Sequence, residues 1–490
     1  MKKLSAMMLA GWMMLSSACA ETVLRTRNFD NPEAFMEAHP GVRVEVIEGY
    51  RKADQLLNML MTHSMDEDMF SMSTYNTDVA NVIDKGFCLD LSGNEGIREA
   101  VGRMYPALQE LVTRDGGIYG VPFSVTIEAE LICNAEVWQE MGYTAADVPK
   151  SFPALLDFLE SWVVRNEIEN LDCSVRGSLD ETIYNQYTYP QMLVGWLMDS
   201  WTQQKMHAGE PMHFNDPVLI ELLERSKKVG SAIYRYCEPS VRVGGRGLFG
   251  FSNTALGSTW ETINNGLVDM RISEDQPSLI VASGTVLAAY AGTNEPELAA
   301  EMVLAELQYW DDPAFCLDSP MRAFIYADAE PVAKLSYEDN VRAARNRIAI
   351  AEHRLAGDDT PLEDYLELTE ADYVRAKSYE DASRMQSFRV FAAELDKMLD
   401  SEVEDKLDEL KARLARTEED KWSLSPEGLA TYRRYAQNMI VEKPSFFHSG
   451  SDASANYESL VSQYVHDLIS VEQLVTQLDR IAQMVEMENQ

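Results

Sequence analysis

An α/β chain of two lobes joined by extended crossing strands, with a helical insertion in the second lobe, is the fold class that three features predict. Strand and helix patterns alternate from Val23 to about Tyr75. A segment from Gly117 to Asn134 reads as one long strand, apolar at both ends and polar in its middle. After about Ser336 the composition turns to dense Glu, Asp, Arg, Lys and Ala at helical spacing. Alternation of the two periodicities is what βαβ units with parallel strands produce.

The first elements are short. TVLRT (22–26), VRVEVI (42–47) and DMFSMS (68–73) read as strands, while FMEAHP (35–40) and Ala53 to Thr62 read as helices. The helix before Gly41 is brief for a crossover, so the first βα unit is abbreviated. In GIYGVPFSVTIEAELICN (117–134), Ser124, Thr126 and Glu128 interrupt a run of Val, Ile and Phe. A strand buried at both ends and polar between them suits a chain crossing from one lobe to another beneath a ligand cleft. An ordinary half-buried strand has a similar pattern. SLIVASGTVLAAYAG (278–292) reads as a second crossing strand.

Helices are expected at Asn134 to Gly142, from Ser151 onward with Pro153 in the first turn, at Asp216 to Tyr234 and at Glu295 to Tyr309. From Glu338 to Trp422, Ile348, Ile350, Leu355, Leu366, Leu395, Leu399, Leu407 and Leu414 recur at helical spacing, and Gly357 to Pro361 breaks the run. That pattern predicts a helical hairpin or small bundle. Its charge runs are most simply a solvated face, with docking of a partner as the alternative. The predicted domains are a signal peptide at 1–20, lobe 1 at 21–124 plus 284–325, and lobe 2 at 125–283 plus 326–490, the last containing the charged insertion at about 338–422.

Composition excludes several functions. The 490 residues are 46% hydrophobic and 9% aromatic, which places them among globular chains able to bury a large core. With 80 acidic and 42 basic residues the formal charge is -38, a surface that repels nucleic acid and anionic membrane. Cys88, Cys133, Cys173, Cys237 and Cys316 are widely spaced with no CxxC pair, so they read as buried thiols. None of the seven histidines stands in an HxxxH or HExxH arrangement, and no metal or cofactor is expected.

Lys2 and Lys3 precede an apolar stretch from Leu4 to Leu15, followed by small residues ending Ala18-Cys19-Ala20, the layout of a secretory signal. Cleavage after Ala20 would leave Glu21 first. Cys19 permits a second reading, lipid attachment to its thiol, although Leu15 stands one position early for that. No later stretch approaches the roughly 20 apolar residues of a membrane span.

Enzyme signatures are missing: there is no GxSxG, P-loop or GxGxxG after a strand, and Gly244-Gly245-Arg246-Gly247 is too short for a phosphate loop. Among 80 carboxylates some pair always looks suggestive, so acid counts carry no specificity for a glycosidase. Recognition of a small polar solute needs stacking faces and a few placed hydrogen-bonding groups. Four places offer both: Ser73, Thr74, Tyr75 and Asn76 with Asp78, at a strand tip; Phe123, Ser124, Thr126 and Glu128, in the crossing strand; Trp260, after a small-residue turn; and Phe446, after Pro444. Core packing is the competing role for each of these aromatic side chains.

Together these segments resemble the bacterial extracellular solute-binding proteins of the maltose-type group, the soluble receptors of ABC importers. FMEAHPGVRVEVI is similar to that family's first helix and second strand, and GGIYGVPFSVTIEAELICNAEVWQEMG to its first lobe crossing and following helix. Pro149 to Phe152, SLIVASGTVLAAYAGTNEPELAAEMV and YVHDLISVEQLVTQLDRIAQMV continue the resemblance in the family's order. It implies a periplasmic-binding-protein-like type II fold, two lobes closing on a solute, and ABC permease subunits as partners. It also implies that Glu128 bonds sugar hydroxyls, that Trp260 stacks on a sugar ring and that Tyr75 touches it. A monomeric receptor for a carbohydrate is the expectation. The abbreviated first unit and the acidic insertion depart from the simplest members.

Two other classes compete. A secreted glycan-active hydrolase would show two carboxyls about 5–9.5 Å apart across the cleft. A cell-surface scaffold or adhesion protein would show a cleft filled by side chains.

Overall fold

The computed structural model describes residues 22–49, 51–133, 142–165, 188–236, 249–252, 268–311, 325–328, 330–358, 360–373, 383–419, 433–444, 446 and 452–488. The expected signal segment, the helix at 134–142, and Trp260 lie outside the described residues, apart from Gly142.

Nine strands are described. β1 (Thr22–Thr26), β2 (Val42–Val46) and β3 (Met69–Ser73) are short, and β4 (Thr113–Arg114) pairs with β5 (Gly117–Ile118) around an Asp115-Gly116 turn. Both turn residues have positive φ, 51° and 84°, the conformation an Asp-Gly hairpin turn requires. β6 (Val121–Cys133) and β8 (Ile280–Ala289) are long, while β7 (Phe249–Ser252) and β9 (Met439–Val441) flank them.

One sheet joins seven of these strands in the order β2-β1-β3-β8-β6-β7, with β9 also on β8. β1 runs parallel to both β2 and β3, and the helices Pro32–Ala38 and Ala53–Met61 connect them. The parallel sheet expected from the alternating pattern is therefore present. β8 enters antiparallel, its 285–289 half against β3 and its 280–282 end parallel to β9. β6 lies along the other edge of β8 from Val121↔Leu287 to Glu128↔Val281.

The two long strands separate two apolar cores. Val121, Val125 and Ile127 of β6 belong to a first core with Leu24, Phe70, Leu108 and Met302, whereas Leu131 and Cys133 belong to a second with Phe152, Trp196, Leu223 and Leu474. At 3.3–3.4 Å per residue a thirteen-residue strand is about 43 Å long, more than one lobe of ordinary strands needs. β6 is thus a bridge between two bodies. Tyr326, Ala436, Met439 and Val441 complete the first core, so the chain returns to it after the insertion.

Helices Phe152–Arg165, Thr188–Ala208, Pro217–Tyr236, Asp452–Val465 and Val471–Glu488 build the second core. A third core sits in the charged insertion, where Ile350 and Ala351 of helix Glu330–Ala356 meet Phe388 of Arg384–Leu395 and Val403 of Asp400–Glu419. Each large apolar side chain fully buried in these cores contributes about 1.5–3 kcal/mol. No helix among the described residues is long and apolar enough to cross a membrane.

Candidate functional site

Parallel strands end at a common edge, and in open α/β sheets ligands bind beyond the carboxyl ends of those strands. Here β1 ends at Thr26 and β3 at Ser73, with Thr285 of β8 directly opposite Ser73. A cavity of about 290 Å³ opens at that edge, beside the bridge strands. Arg27 and Asn28 line it just after β1, Arg51 and Lys52 just before helix Ala53–Met61, and Ser71, Ser73, Asn76 and Thr77 from β3 and its turn. Gly49, with φ at 101°, supplies a lining position where any side chain would strain the backbone.

Behind the cationic side chains lies Glu67, only 2% exposed. Its Oε1 accepts from Arg27 Nε at 2.9 Å and also from Arg51 Nη1. Its Oε2 is buried with no hydrogen-bond partner. Burial pushes the Glu67 carboxyl up against the opposing pull of Arg51 and Arg27, and burial pushes the Arg51 guanidinium down. Arg27 is fixed further by the Glu48 and Gly49 carbonyls, at 3.2 and 3.4 Å.

The strand-tip residues divide by role. Ser73 and Asn76 line the cavity, and Tyr75 between them is 49% exposed. Thr74 is 1% exposed and its hydroxyl accepts from Gly284 N–H at 2.8 Å. Asp78 caps the helix Val79–Asp84 by accepting from Asn81 N–H.

In the bridge, Phe123 packs edge-on against Trp310 with ring centroids 5.3 Å apart, and Ser124 sits at a register irregularity opposite Thr285. Thr126 pairs with Ser283 and Glu128 with Val281 along β6; their side chains are outside the described residues. Phe446 packs against the second core and is not among the residues lining the strand-tip cavity. The structure therefore gathers Ser73, Asn76 and Tyr75 at one edge, while Trp260 lies outside the description.

Arg27, Asn28, Arg51, Lys52 and Thr285 are lining residues that the sequence reading did not single out. Arg27 and Arg51 each come after a strand of the parallel unit, but in the sequence both look like solvated surface charges. Chemically the cavity offers hydroxyls, amides and guanidinium groups. Among the described residues lining it there is no carboxylate. No three His, Cys, Asp or Glu side chains gather as a metal site would need among the described residues.

Residues 33–232 match the family described as bacterial extracellular solute-binding protein. A search of curated proteins finds no match to the sequence. Among solved structures, the apo form of RafE from Streptococcus pneumoniae is 13% identical, with 95% of this chain and 98% of that one covered and a TM-score of 0.44. The cyclic alpha-maltosyl-1,6-maltose binding protein from Arthrobacter globiformis is 12% identical, over 95% and 98%, with a TM-score of 0.48. A sugar transporter from Rhizobium etli in an open conformation is 13% identical, over 94% and 99%, at 0.47.

Proposed function

We propose that this chain, whose residues 33–232 match the family of bacterial extracellular solute-binding proteins, is the capture component of an ABC importer. It takes a small polar solute, a carbohydrate, into the gap at the strand tips and delivers it to a membrane permease. The observation that carries this reading is the bridge: β6 leaves one core at Ile127 and enters another at Leu131, next to a polar cavity of about 290 Å³.

Three strands, β6, β8 and β9, run together at the crossing, so the lobes can tilt by small changes spread along a few residues. A solute held by Ser73, Asn76 and Tyr75 on one lobe gains contacts from the other when the gap narrows. Only that difference in contacts shifts the population toward the closed form. Glu128 and Trp260 are the groups proposed to supply it from the bridge and the second lobe. The receptor acts as a monomer without catalysis or cofactor.

Family members work on the outer side of the membrane. Export through residues 1–20, with cleavage after Ala20 in preference to lipid on Cys19, is part of the same proposal, and the mass of the mature N-terminus distinguishes the two. The central test is small-angle scattering with a carbohydrate panel. A ligand that raises the melting temperature is expected also to reduce the radius of gyration; stabilisation by ligands with no compaction would overturn the hinge-closure mechanism.

A further inference from the structure

The chain carries nearly two acidic residues for every basic one, yet the strand-tip cavity is lined by Arg27, Arg51 and Lys52 and by no carboxylate among the described residues. Glu67, buried behind them, is shared by the two guanidiniums, and Asp66, exposed, acts on Arg51 through space. Lys52 forms no ion pair among the described residues. It also stands at the start of the nine-residue helix Ala53–Met61, whose first residue, Ala53, lines the same cavity. The positive end of that helix dipole therefore adds to the field of the three cations.

Positive charge gathered at one edge of a strongly acidic molecule makes that edge complementary to an anion. Glu67 and the surface Asp66 set two carboxylates against three cations, and Lys52 is the cation left without an ion pair among the described residues. A neutral sugar needs none of this, since hydroxyls and amides satisfy it. A planar oxyanion accepts two parallel hydrogen bonds from a guanidinium, and such charge-assisted bonds are about twice as strong as neutral ones.

Resting on the receptor reading above, we infer that the solute is an acidic carbohydrate, a sugar bearing a carboxylate, sulfate or phosphate, with its oxyanion seated against Arg51, Arg27 and Lys52 while its hydroxyls reach Ser73 and Asn76. The molecule's overall negative charge repels acidic sugars at long range, but that repulsion is screened within about 8–10 Å at physiological salt, and the cavity lies inside that distance once the solute arrives.

The test is a thermal-shift and calorimetric panel on the full chain, pairing neutral and acidic forms of the same sugars: galactose with galacturonate, tetragalacturonate with its methyl ester, glucose with glucose 6-phosphate and glucose 6-sulfate, and inorganic phosphate and sulfate alone. Stabilisation confined to acidic sugars is expected. It should weaken at least tenfold between 50 and 500 mM salt and at least tenfold in Lys52→Gln, a variant of an exposed residue whose unliganded melting temperature should match the parent. Hits among neutral sugars alone would overturn this inference and leave the receptor reading intact. No hit anywhere would overturn both. Equal affinity for inorganic phosphate would overturn the sugar as the recognised body, and an unchanged affinity in Lys52→Gln would overturn the seat of the charge.

Discussion

Thr74 and Gly284 hold each other through two hydrogen bonds. The Thr74 N–H donates to the Gly284 carbonyl, and the Gly284 N–H donates to Thr74 Oγ1, both at 2.8 Å. The tip of β3 is thereby tied to the strand that crosses to the second lobe, at the level where β6 changes register beside Ser124. The attachment fixes the tip of β3 to the bridge strand at the cavity floor.

Gly284 allows that closeness. A Cβ there would lie 2.7 Å from the Ser124 carbonyl oxygen, a backbone atom that moves only with its strand. Gly284→Ala is expected to cost about 1–3 kcal/mol by forcing β6 and β8 apart. Thr74→Val keeps the shape but removes the acceptor, and should cost about 1–3 kcal/mol for the stranded Gly284 N–H. Urea denaturation measures both. A loss under about 0.5 kcal/mol in Thr74→Val would show that the hydroxyl is not the tie.

Glu67→Gln should destabilise by about 3–5 kcal/mol, because the guanidiniums of Arg27 and Arg51, 20% and 8% exposed, lose their shared counter-charge. Replacing the buried pair together, Arg51→Met with Glu67→Leu, should recover more than half of that. Chemical denaturation of the three proteins checks the ordering. The double variant falling below Glu67→Gln would contradict it.

Glu306 gives a pH signature. It is 1% exposed; its carboxyl accepts from Asp30 N–H and from Trp310 Nε1–H, and the same indole N–H bonds Asp30 Oδ2. Burial first, then the charge of nearby Asp30, pushes its pKa from 4.5 up to about 7. A folded-state pKa above the unfolded one means the native state binds the proton more tightly. Stability from this group is full below about 4.5 and is lost as pH rises through about 7, a change of about 3 kcal/mol. Glu306→Gln should flatten stability against pH across that window, at a pH-independent cost of about 1–3 kcal/mol, since an amide NH₂ would face one of the two donors. Melting temperatures from pH 4 to 8 decide it; an unchanged slope would refute the assignment.

The insertion has its own charged centre. Asp372, with a fully buried side chain, accepts from Arg342 Nη1 at 2.6 Å and Thr369 N–H at 2.7 Å, while Asp339 takes Arg342 and Arg384. Burial pushes the Asp372 carboxyl up, and the bonds from Arg342 and Thr369 outweigh it, holding it below the usual carboxylate value. Its contribution is present above about pH 4 and lost as pH falls through the folded-state pKa. Asp372→Ala should cost about 3–5 kcal/mol by stranding buried guanidinium charge. Hydrogen exchange should rise across 330–419 and stay unchanged in β1 and β3; uniform loss of protection would show that the insertion is not a separate unit.

Much of this was legible in the sequence. β1, β2 and β3 follow runs whose alternation is short-range, and β6 and β8 follow apolar runs too long for one small lobe. Ser73 and Asn76 were legible at the site because a strand end announces itself by the polar turn after it. Arg27 and Arg51 were not. They are 24 positions apart, each looks like a solvated surface charge, and only the parallel pairing of β1 with β2 and β3 brings them onto Glu67. Thr74 looked equally suited to ligand contact until its hydroxyl proved to be engaged by Gly284.

By itself the sequence determined the order of strands and helices, the bridge between lobes and the acidic surface, because periodicity, turn chemistry and charge are properties of neighbours along the chain. Only the tertiary structure decided that three cations share one cavity and that Glu306 lies buried against Asp30. Burial and charge pairing depend on which distant segments meet, and both act over a few ångströms of space rather than along the sequence.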